Sequence, residues 1–249
     1  MTTSPHFATK YGQVFLRNRK IAEREVSLLG EIRGKSVLEI GCGEGIVTDL
    51  LLSGGSKVTG LEPDHRHFSY LLNRFSGFVK SGQFVPVKQT FEEFPPGGFD
   101  FVFGNIPYSV SSKIIFRLPH FQFTRAVIMV QKEFGERMVA VPGSRDYSRL
   151  SVSTWFQFVA VREFFVSRNE FDPVPEVDSV VLTLMPKNLI LAADRKFLEE
   201  VVKRIFSNRR KTLAKIFGKV PEEMKGIRGE SLPPQAIVDL AAYLKEQSP

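Results

Sequence analysis

Two short groups of residues in this 249-residue chain are built for chemistry. The first is Asn105-Ile106-Pro107-Tyr108, directly after the apolar run Phe99-Asp100-Phe101-Val102-Phe103-Gly104. An amide accepts hydrogen bonds from an exocyclic amine, and an aromatic ring holds a flat base by its face. That combination suits methylation of the amino group of a nucleobase. A Pro turn closing a strand is the bland reading of the same four residues.

The second group is Glu39-Ile40-Gly41-Cys42-Gly43-Glu44-Gly45, followed at the end of the next apolar segment by Glu62-Pro63, with Glu62 21 residues after Gly41. Glycines let the backbone turn sharply and approach a ligand closely, while an acid at that distance can accept from both hydroxyls of a ribose. Together they favour an adenosine-containing cofactor over a structural turn. The dinucleotide fingerprint G-x-G-x-x-G wants its third Gly at position 46, which is Ile here, whereas E-x-G-x-G-x-G is the methyltransferase form. The cofactor read from this loop is S-adenosylmethionine. Glu39 either orients the loop or the sulfonium end of that cofactor, or is purely structural.

The elements that position these groups alternate between short apolar runs and amphipathic segments. Strands are expected at Ser36–Ile40, Lys57–Leu61, Phe84–Val87, Phe99–Gly104 and Ala126–Val130, rich in Val, Ile, Leu or Phe as parallel strands covered on both faces are. Helices are expected at Asn18–Leu29 and after Gly45, Asp64 and Ser109, the last two as N-caps. This alternation implies an α/β fold with a doubly wound, Rossmann-like sheet. In such a sheet the first and fourth strands lie side by side and ligands bind at their carboxyl ends, so the two groups converge. Beyond Leu150, strands are expected at Ser151–Ala160, Glu163–Val166 and Ser179–Leu184. Helical patterns cover Asp194–Phe217 and Gln235–Lys245. A boundary near Lys187 would separate a catalytic domain, residues 1–187, from a small all-helical domain, residues 188–249.

The net charge of +7 points to a polyanionic partner. Lys203, Arg204, Arg209, Arg210, Lys211, Lys215 and Lys219 form a run without an acid, with a smaller block at Lys10, Arg17, Arg19 and Lys20. A solvated helix face is the competing reading of the larger run, and core packing accounts for most of the 23 Phe. Cys42 is the single cysteine, which excludes an internal disulfide and a Cys-based zinc site, and four scattered His suggest no metal. With no secretory signal or bilayer-length apolar run, a soluble, cytoplasmic protein is expected.

Taken together, these motifs resemble the rRNA adenine N6-dimethyltransferase family, which modifies adjacent adenosines near the 3′ end of small-subunit rRNA. Tyr11-Gly12-Gln13-Val14-Phe15-Leu16 is similar to the family's Q-x-F-L segment, Phe171-Asp172-Pro173-Val174-Pro175-Glu176-Val177-Asp178-Ser179 to its F-x-P-x-P-x-V-x-S element, and Phe206-Ser207-Asn208-Arg209-Arg210-Lys211 to its F-x-x-R-R-K. Met129–Glu133 and Arg137–Val152 resemble its central region, the latter closest to archaeal members. The resemblance implies cofactor contacts at Gln13, Phe15 and Leu16, a second wall for the target base at Phe171 (otherwise a core residue), and RNA contacts at Lys203, Arg204, Arg209, Arg210, Lys211 and Lys215. It also implies a departure. The acid that usually accepts from the adenine amine of the cofactor is Thr90 here, with Gln89 as a neighbouring substitute. Small-subunit rRNA and an immature small subunit are the implied partners, for a monomeric enzyme. The rival from another class is a non-catalytic RNA-binding assembly or transcription factor that keeps the fold; a related enzyme of large-subunit rRNA is a third reading.

Overall fold

The computed structural model describes residues 14–187 and 192–247. Lys10, Tyr11, Gly12 and Gln13 lie outside the described residues, so the expectation for Gln13 has no structural counterpart. The chain forms two compact units, one of residues 14–135 and 161–186, the other of residues 136–160 and the chain from 187 onward. One of the crossings between the units falls between Pro186 and Lys187. The excursion of residues 136–160 into the second unit is additional.

In chain order the first unit holds β1 (Phe15–Leu16), α1 (Arg19–Ser27), β2 (Ser36–Ile40), α2 (Ile46–Ser53), β3 (Lys57–Leu61), α3 (His65–Arg74), α4 (Ser76–Lys80), β4 (Phe84–Val87), β5 (Phe101–Asn105), α5 (Ser111–Arg117), β6 (Arg125–Gln131) and the start of α6 (Lys132–Met138). The second unit takes α7 (Arg149–Gln157), and β7 (Phe158–Val166) leads back to the first, where β8 (Phe171–Asp172) and β9 (Ser179–Pro186) follow. Then come α8 (Ala192–Ser207), α9 (Leu213–Phe217) and α10 (Pro234–Glu246).

The main sheet runs β4-β3-β2-β5-β6-β9-β7. Strands β4, β3, β2, β5 and β6 are parallel, and β9 returns antiparallel beside β6. This is the doubly wound arrangement, with the order reversing between β2 and β5. Val37, Leu38, Val102, Phe103, Val127 and Ile128 are essentially inaccessible, as strands covered on both faces require. The first and fourth strands expected from sequence are β2 and β5, and they are direct neighbours, Val37 facing Phe101 and Glu39 facing Phe103. A separate ribbon pairs β1 with β8 antiparallel, Leu16 opposite Phe171. It ties two segments more than 150 residues apart to one side of the site.

Asp64 caps α3 as expected, its Oδ1 accepting from Arg66 N at 2.8 Å. Ser109 does not cap α5: Tyr108–Val110 form a single 3-10 turn and α5 begins at Ser111. A larger correction concerns Ser151–Ala160, which is helical through Gln157 and becomes strand only from Phe158. Its alternating hydroxyl and apolar residues mimic a strand. Leu150, Ser151, Val152, Ser153, Thr154 and Phe156 are instead all buried, so the pattern is that of a helix enclosed on most sides. Ser151 Oγ accepts from Ser148 N at 3.0 Å and donates to Arg137 O at 2.6 Å, which fixes the helix start.

The second unit has its own core, in which Tyr147, Val152 and Phe156 pack with Leu198, Val201, Val202, Ile205, Leu213, Ile237 and Leu240. Tyr147 Oη donates to Leu232 O at 2.8 Å, so its buried hydroxyl is satisfied. The helical run expected over Asp194–Phe217 is broken between Ser207 and Leu213, where Arg209 and Arg210 lie. Among the described residues no helix is long and apolar enough to cross a membrane.

Candidate active site

At the carboxyl ends of β2 and β5 lies a cavity of about 370 Å³, within the range of small-molecule sites. It is lined by the glycine loop (Gly41, Cys42, Gly43), by Glu62 at the end of β3, by Asn105, Ile106, Pro107 and Tyr108, and by Phe15, Leu16 and Phe171 of the ribbon. Eleven residues singled out in the sequence thus share one cavity.

The loop's conformation and its close packing both call for glycine. Gly43 and Gly45 have positive φ angles of 52° and 78°. A Cβ on Gly43 would stand 3.1 Å from the Phe15 ring, and one on Gly45 2.7 Å from Phe75 and 2.9 Å from Leu71. Neither position accepts a side chain without displacing its neighbours. Gly45 also starts α2, whose open N–H groups follow it.

Glu62 is buried, and its carboxylate is tied to both flanks of the loop. Oε2 accepts from Gly43 N at 2.8 Å and Oε1 from Asp64 N at 3.0 Å. Burial pushes its pKa upward and these two backbone donors oppose the shift. Each oxygen keeps a lone pair for a further donor, so the group can still receive a pair of hydroxyls. Glu39 lies beneath the loop and does not line the cavity. Its Oε2 accepts from Thr48 Oγ1 of α2 at 2.7 Å, and burial pushes it up to about 7. Of the readings open for Glu39, this geometry favours orientation of the loop, through the helix that follows it.

Asn105 ends β5, opposite Met129, and Ile106 N donates to Met129 O at 2.9 Å, which sets the angle at which Pro107 and Tyr108 leave the sheet. Tyr108 is anchored by its hydroxyl, 2.8 Å from Ser179 Oγ, while its ring lines the cavity. Asn105 Oδ1 is buried without a hydrogen-bond partner, and no hydrogen bond among the described residues reaches the Ile106 carbonyl. Two acceptors of adjacent residues are therefore left without a hydrogen-bond partner among the described residues. Phe171 is only 5 % exposed and belongs to the core, with an edge left on the cavity.

Besides Glu39, four expected cofactor residues do not line the cavity: Gly45, Pro63, Gln89 and Thr90. Gln89 is exposed. Thr90 is engaged in a local turn, its Oγ1 donating to Glu93 Oε2 at 3.0 Å and accepting from Glu93 N at 3.3 Å. The hydroxyl that would replace the usual acid is thus largely used within its own loop. Conversely, Arg17, Glu44, Arg74 and Ser179 line the cavity without having been singled out for it. Arg17 donates to Glu44 at 2.6 Å and to Asp172 at 2.8 Å, and Arg74 donates to Glu44 O at 2.8 Å, so a polar rim joins loop, ribbon and α3. Arg17 stood in the sequence only as part of a basic block, a signal for charge and not for a rim.

A family model described as ribosomal RNA adenine dimethylase matches residues 5–228. The chain belongs to this family. Among its relatives, a probable ribosomal RNA small subunit methyltransferase A of Methanospirillum hungatei is 39% identical over 83% of this chain and 84% of its own. The ribosomal RNA small subunit methyltransferase A of Geobacter sulfurreducens is 36% identical over 81% of this chain and 76% of its own. Of solved structures, a dimethyladenosine transferase from Plasmodium falciparum superposes with a TM-score of 0.83 at 28% identity, covering 94% of this chain and 98% of that one. The 23S rRNA methyltransferase ErmE gives 0.74 at 27% identity, over 93% and 99%.

The family's basic C-terminal signature lies in the second unit. There the six expected RNA contacts divide into two sets. Lys203, Arg210, Lys211 and Lys215 are exposed, whereas Arg209 is half-buried, donating to Glu230 Oε2 at 2.9 Å. Arg204 donates to Ile216 O at 2.8 Å and lies over the Phe217 ring at 4.5 Å. These two arginines have a structural share that spacing alone does not reveal. Neutralising Arg210, Lys211 and Lys215 therefore isolates RNA binding from folding. If all three contact phosphate, the log–log salt dependence of RNA affinity should flatten by about 0.7–0.9 per residue, with the melting temperature unchanged. An unchanged slope in a filter-binding titration would return the run to a solvated face.

Proposed function

We propose that this chain is an S-adenosylmethionine-dependent methyltransferase that dimethylates N6 of two adjacent adenosines near the 3′ end of small-subunit rRNA. We propose further that it acts on an immature small subunit, in the cytoplasm, as a monomer. The observation that carries this reading is the convergence of the glycine loop, Glu62 and Asn105–Tyr108 on one cavity.

The residues present fit the cofactor. The Gly41–Gly43 part of the loop lines the cavity with little side chain, Glu62 has acceptor capacity for ribose hydroxyls, and Phe15, Leu16 and Cys42 supply apolar wall. When bound, S-adenosylmethionine supplies an electrophilic methyl group. The rest is done by the chain. The exocyclic amine of adenine is a poor nucleophile because its lone pair is delocalised into the ring. Asn105 Oδ1 and the Ile106 carbonyl accept its two N–H bonds and so localise that pair on N6. Fixed dipoles in a near-attack arrangement then supply most of the acceleration. The methylated amine releases one proton to solvent, after which one N–H remains and one of the two acceptors suffices for the second transfer.

The base must leave its stack or arrive single-stranded. Tyr108, held by Ser179, offers it a face, and stacking of this kind is worth about 1–3 kcal/mol per base. Phe171 supplies the apolar edge beside it. The exposed Lys203, Arg210, Lys211 and Lys215 hold phosphates and orient the RNA without reading its sequence.

The names of the relatives favour the small subunit, and the likeness to ErmE keeps the large-subunit reading in the test. Methyl-labelled cofactor should label immature small subunits in preference to naked small-subunit rRNA and to large-subunit rRNA. Preferential labelling of large-subunit rRNA would overturn the substrate assignment. Tight binding of small subunits with no labelling would favour the non-catalytic assembly factor.

A further inference from the structure

Glu25 has no part in the reading given so far, although it is among the least accessible residues of the chain, at 0 % exposure. It lies on α1 between Ala22 and Leu29, both buried, on the face that packs inward. Its Oε2 accepts from Asn105 Nδ2 at 3.2 Å, while its Oε1 is buried without a partner among the described residues. The facing amide is in the same condition, with Oδ1 buried and unpartnered. Two planar groups thus share one bond and leave one orphan acceptor each. One shared proton would satisfy both orphans.

We propose that the Glu25 carboxylic acid and the Asn105 carboxamide form a cyclic two-bond pair, Glu25 Oε1–H donating to Asn105 Oδ1 and Asn105 Nδ2–H donating to Glu25 Oε2. Glu25 is thereby a positioning residue that fixes the pose in which Asn105 meets the target amine. The role, though not the pair, rests on the methyltransferase reading above. A carbonyl oxygen has two lone pairs, so Oδ1 engaged by Glu25 still accepts from an amine in the cavity. Without the pair the amide is free to turn, and a turned amide presents NH₂ to the amine instead of oxygen.

The surroundings favour the neutral acid. Burial pushes Glu25 up to about 8, and the Asn105 bond is the only opposing influence. The charged groups of neighbouring elements are engaged elsewhere. On α1 itself, Arg19 pairs with Glu23 and with Asp49 of α2, and Arg24 lies over the Phe164 ring of β7. Arg125 of β6 donates to Leu28 O, and Glu170, ahead of β8, accepts from Asn18. Ionisation of Glu25 would remove the donor and set two acceptors face to face. Methyl transfer should therefore be fastest with Glu25 protonated and fall as pH rises through the Glu25 midpoint.

Three forms of the protein test this: wild type, Glu25→Gln, whose amide reproduces both bonds at every pH, and Glu25→Met, which fills the space and makes neither. The side-chain amide resonance of Asn105, assigned by its loss in Asn105→Ala, should titrate with a midpoint near 8 in wild type and stay flat in Glu25→Gln. Single-turnover methyl transfer should show the same alkaline fall in wild type and lose it in Glu25→Gln, which retains most of the neutral-pH rate. Glu25→Met should lower kcat at least tenfold while KM for RNA stays put. A non-titrating Asn105 amide in wild type would overturn the pair, whether or not the protein methylates RNA. An equal alkaline fall in Glu25→Gln, or a wild-type rate in Glu25→Met, would overturn the positioning role. Loss of methyl transfer in all three forms with the amide titration intact would count against the methyltransferase reading and leave the pair standing.

Discussion

Asn105→Ala is expected to reduce single-turnover methyl transfer by about 10²–10³-fold or more, the loss of some 2.7–4 kcal/mol that follows removal of one preorganised dipole from a reacting centre. The substitution removes the Oδ1 acceptor and leaves only the Ile106 carbonyl to receive the amine. It also deprives buried Glu25 of its recorded hydrogen-bond donor. That second effect belongs to folding, and an orphaned buried polar group costs about 1–3 kcal/mol. The two are separable. Affinity for S-adenosylmethionine, measured by calorimetry, should stay near the wild-type value, because the glycine loop and Glu62 are untouched. The melting temperature should fall by a few degrees. Full activity on small-subunit rRNA would remove Asn105 from the mechanism.

Glu62→Ala is expected to act on the other half of the cavity. The carboxylate holds Gly43 N and Asp64 N, and in the proposed function it also accepts from the ribose hydroxyls. Truncation leaves two backbone donors without their acceptor, at about 1–3 kcal/mol each where water cannot replace it. It also removes the hydroxyl acceptors. Cofactor affinity should fall about 100-fold, equivalent to some 2.8 kcal/mol. The loop should loosen, seen as faster amide exchange at Gly43. Glu62→Gln keeps an acceptor oxygen and should recover part of the affinity. Unchanged affinity in Glu62→Ala would show that this acid ties the loop and touches no cofactor.

Much of the first unit was legible because its signals are local and redundant. Strands β2, β3 and β4 follow runs of Val, Leu, Ile and Phe, bounded by Gly or charged residues, and their observed limits coincide with those expected. The adjacency of β2 and β5 follows from the handedness of strand–helix–strand connections, which the amino acids need not spell out. By contrast, the segment from Arg149 to Gln157 has strand-like alternation and is a helix, since burial on most sides erases the helical period. Residues 136–160 join the second unit through Tyr147, Val152 and Phe156, a tertiary choice with no marker in composition.

The site was legible where chemistry imposes a residue type, as at Gly43, Glu62 and Asn105. Partnership proved harder to read. The family resemblance put Thr90 at the usual acidic position, yet it does not line the cavity and its hydroxyl bonds within its own loop to Glu93. Arg204 and Arg209 belong to a basic run, yet each makes an internal contact. Glu25 left a signal that went unused, an acid within the apolar stripe of Ala22, Val26 and Leu29. A charge on that face must find a partner or keep its proton.

The central claim is that the paired acceptors at Asn105 and Ile106 carry an adenine amine through two methyl transfers. Its most direct test is mass spectrometry of small-subunit rRNA from immature particles, digested after incubation with the protein and S-adenosylmethionine. The account predicts N6,N6-dimethyladenosine at two adjacent positions near the 3′ end, absent when Asn105→Ala replaces the wild type. Methylation of a different base, of a ring nitrogen, or of the same adenosines by the Asn105→Ala protein would contradict it.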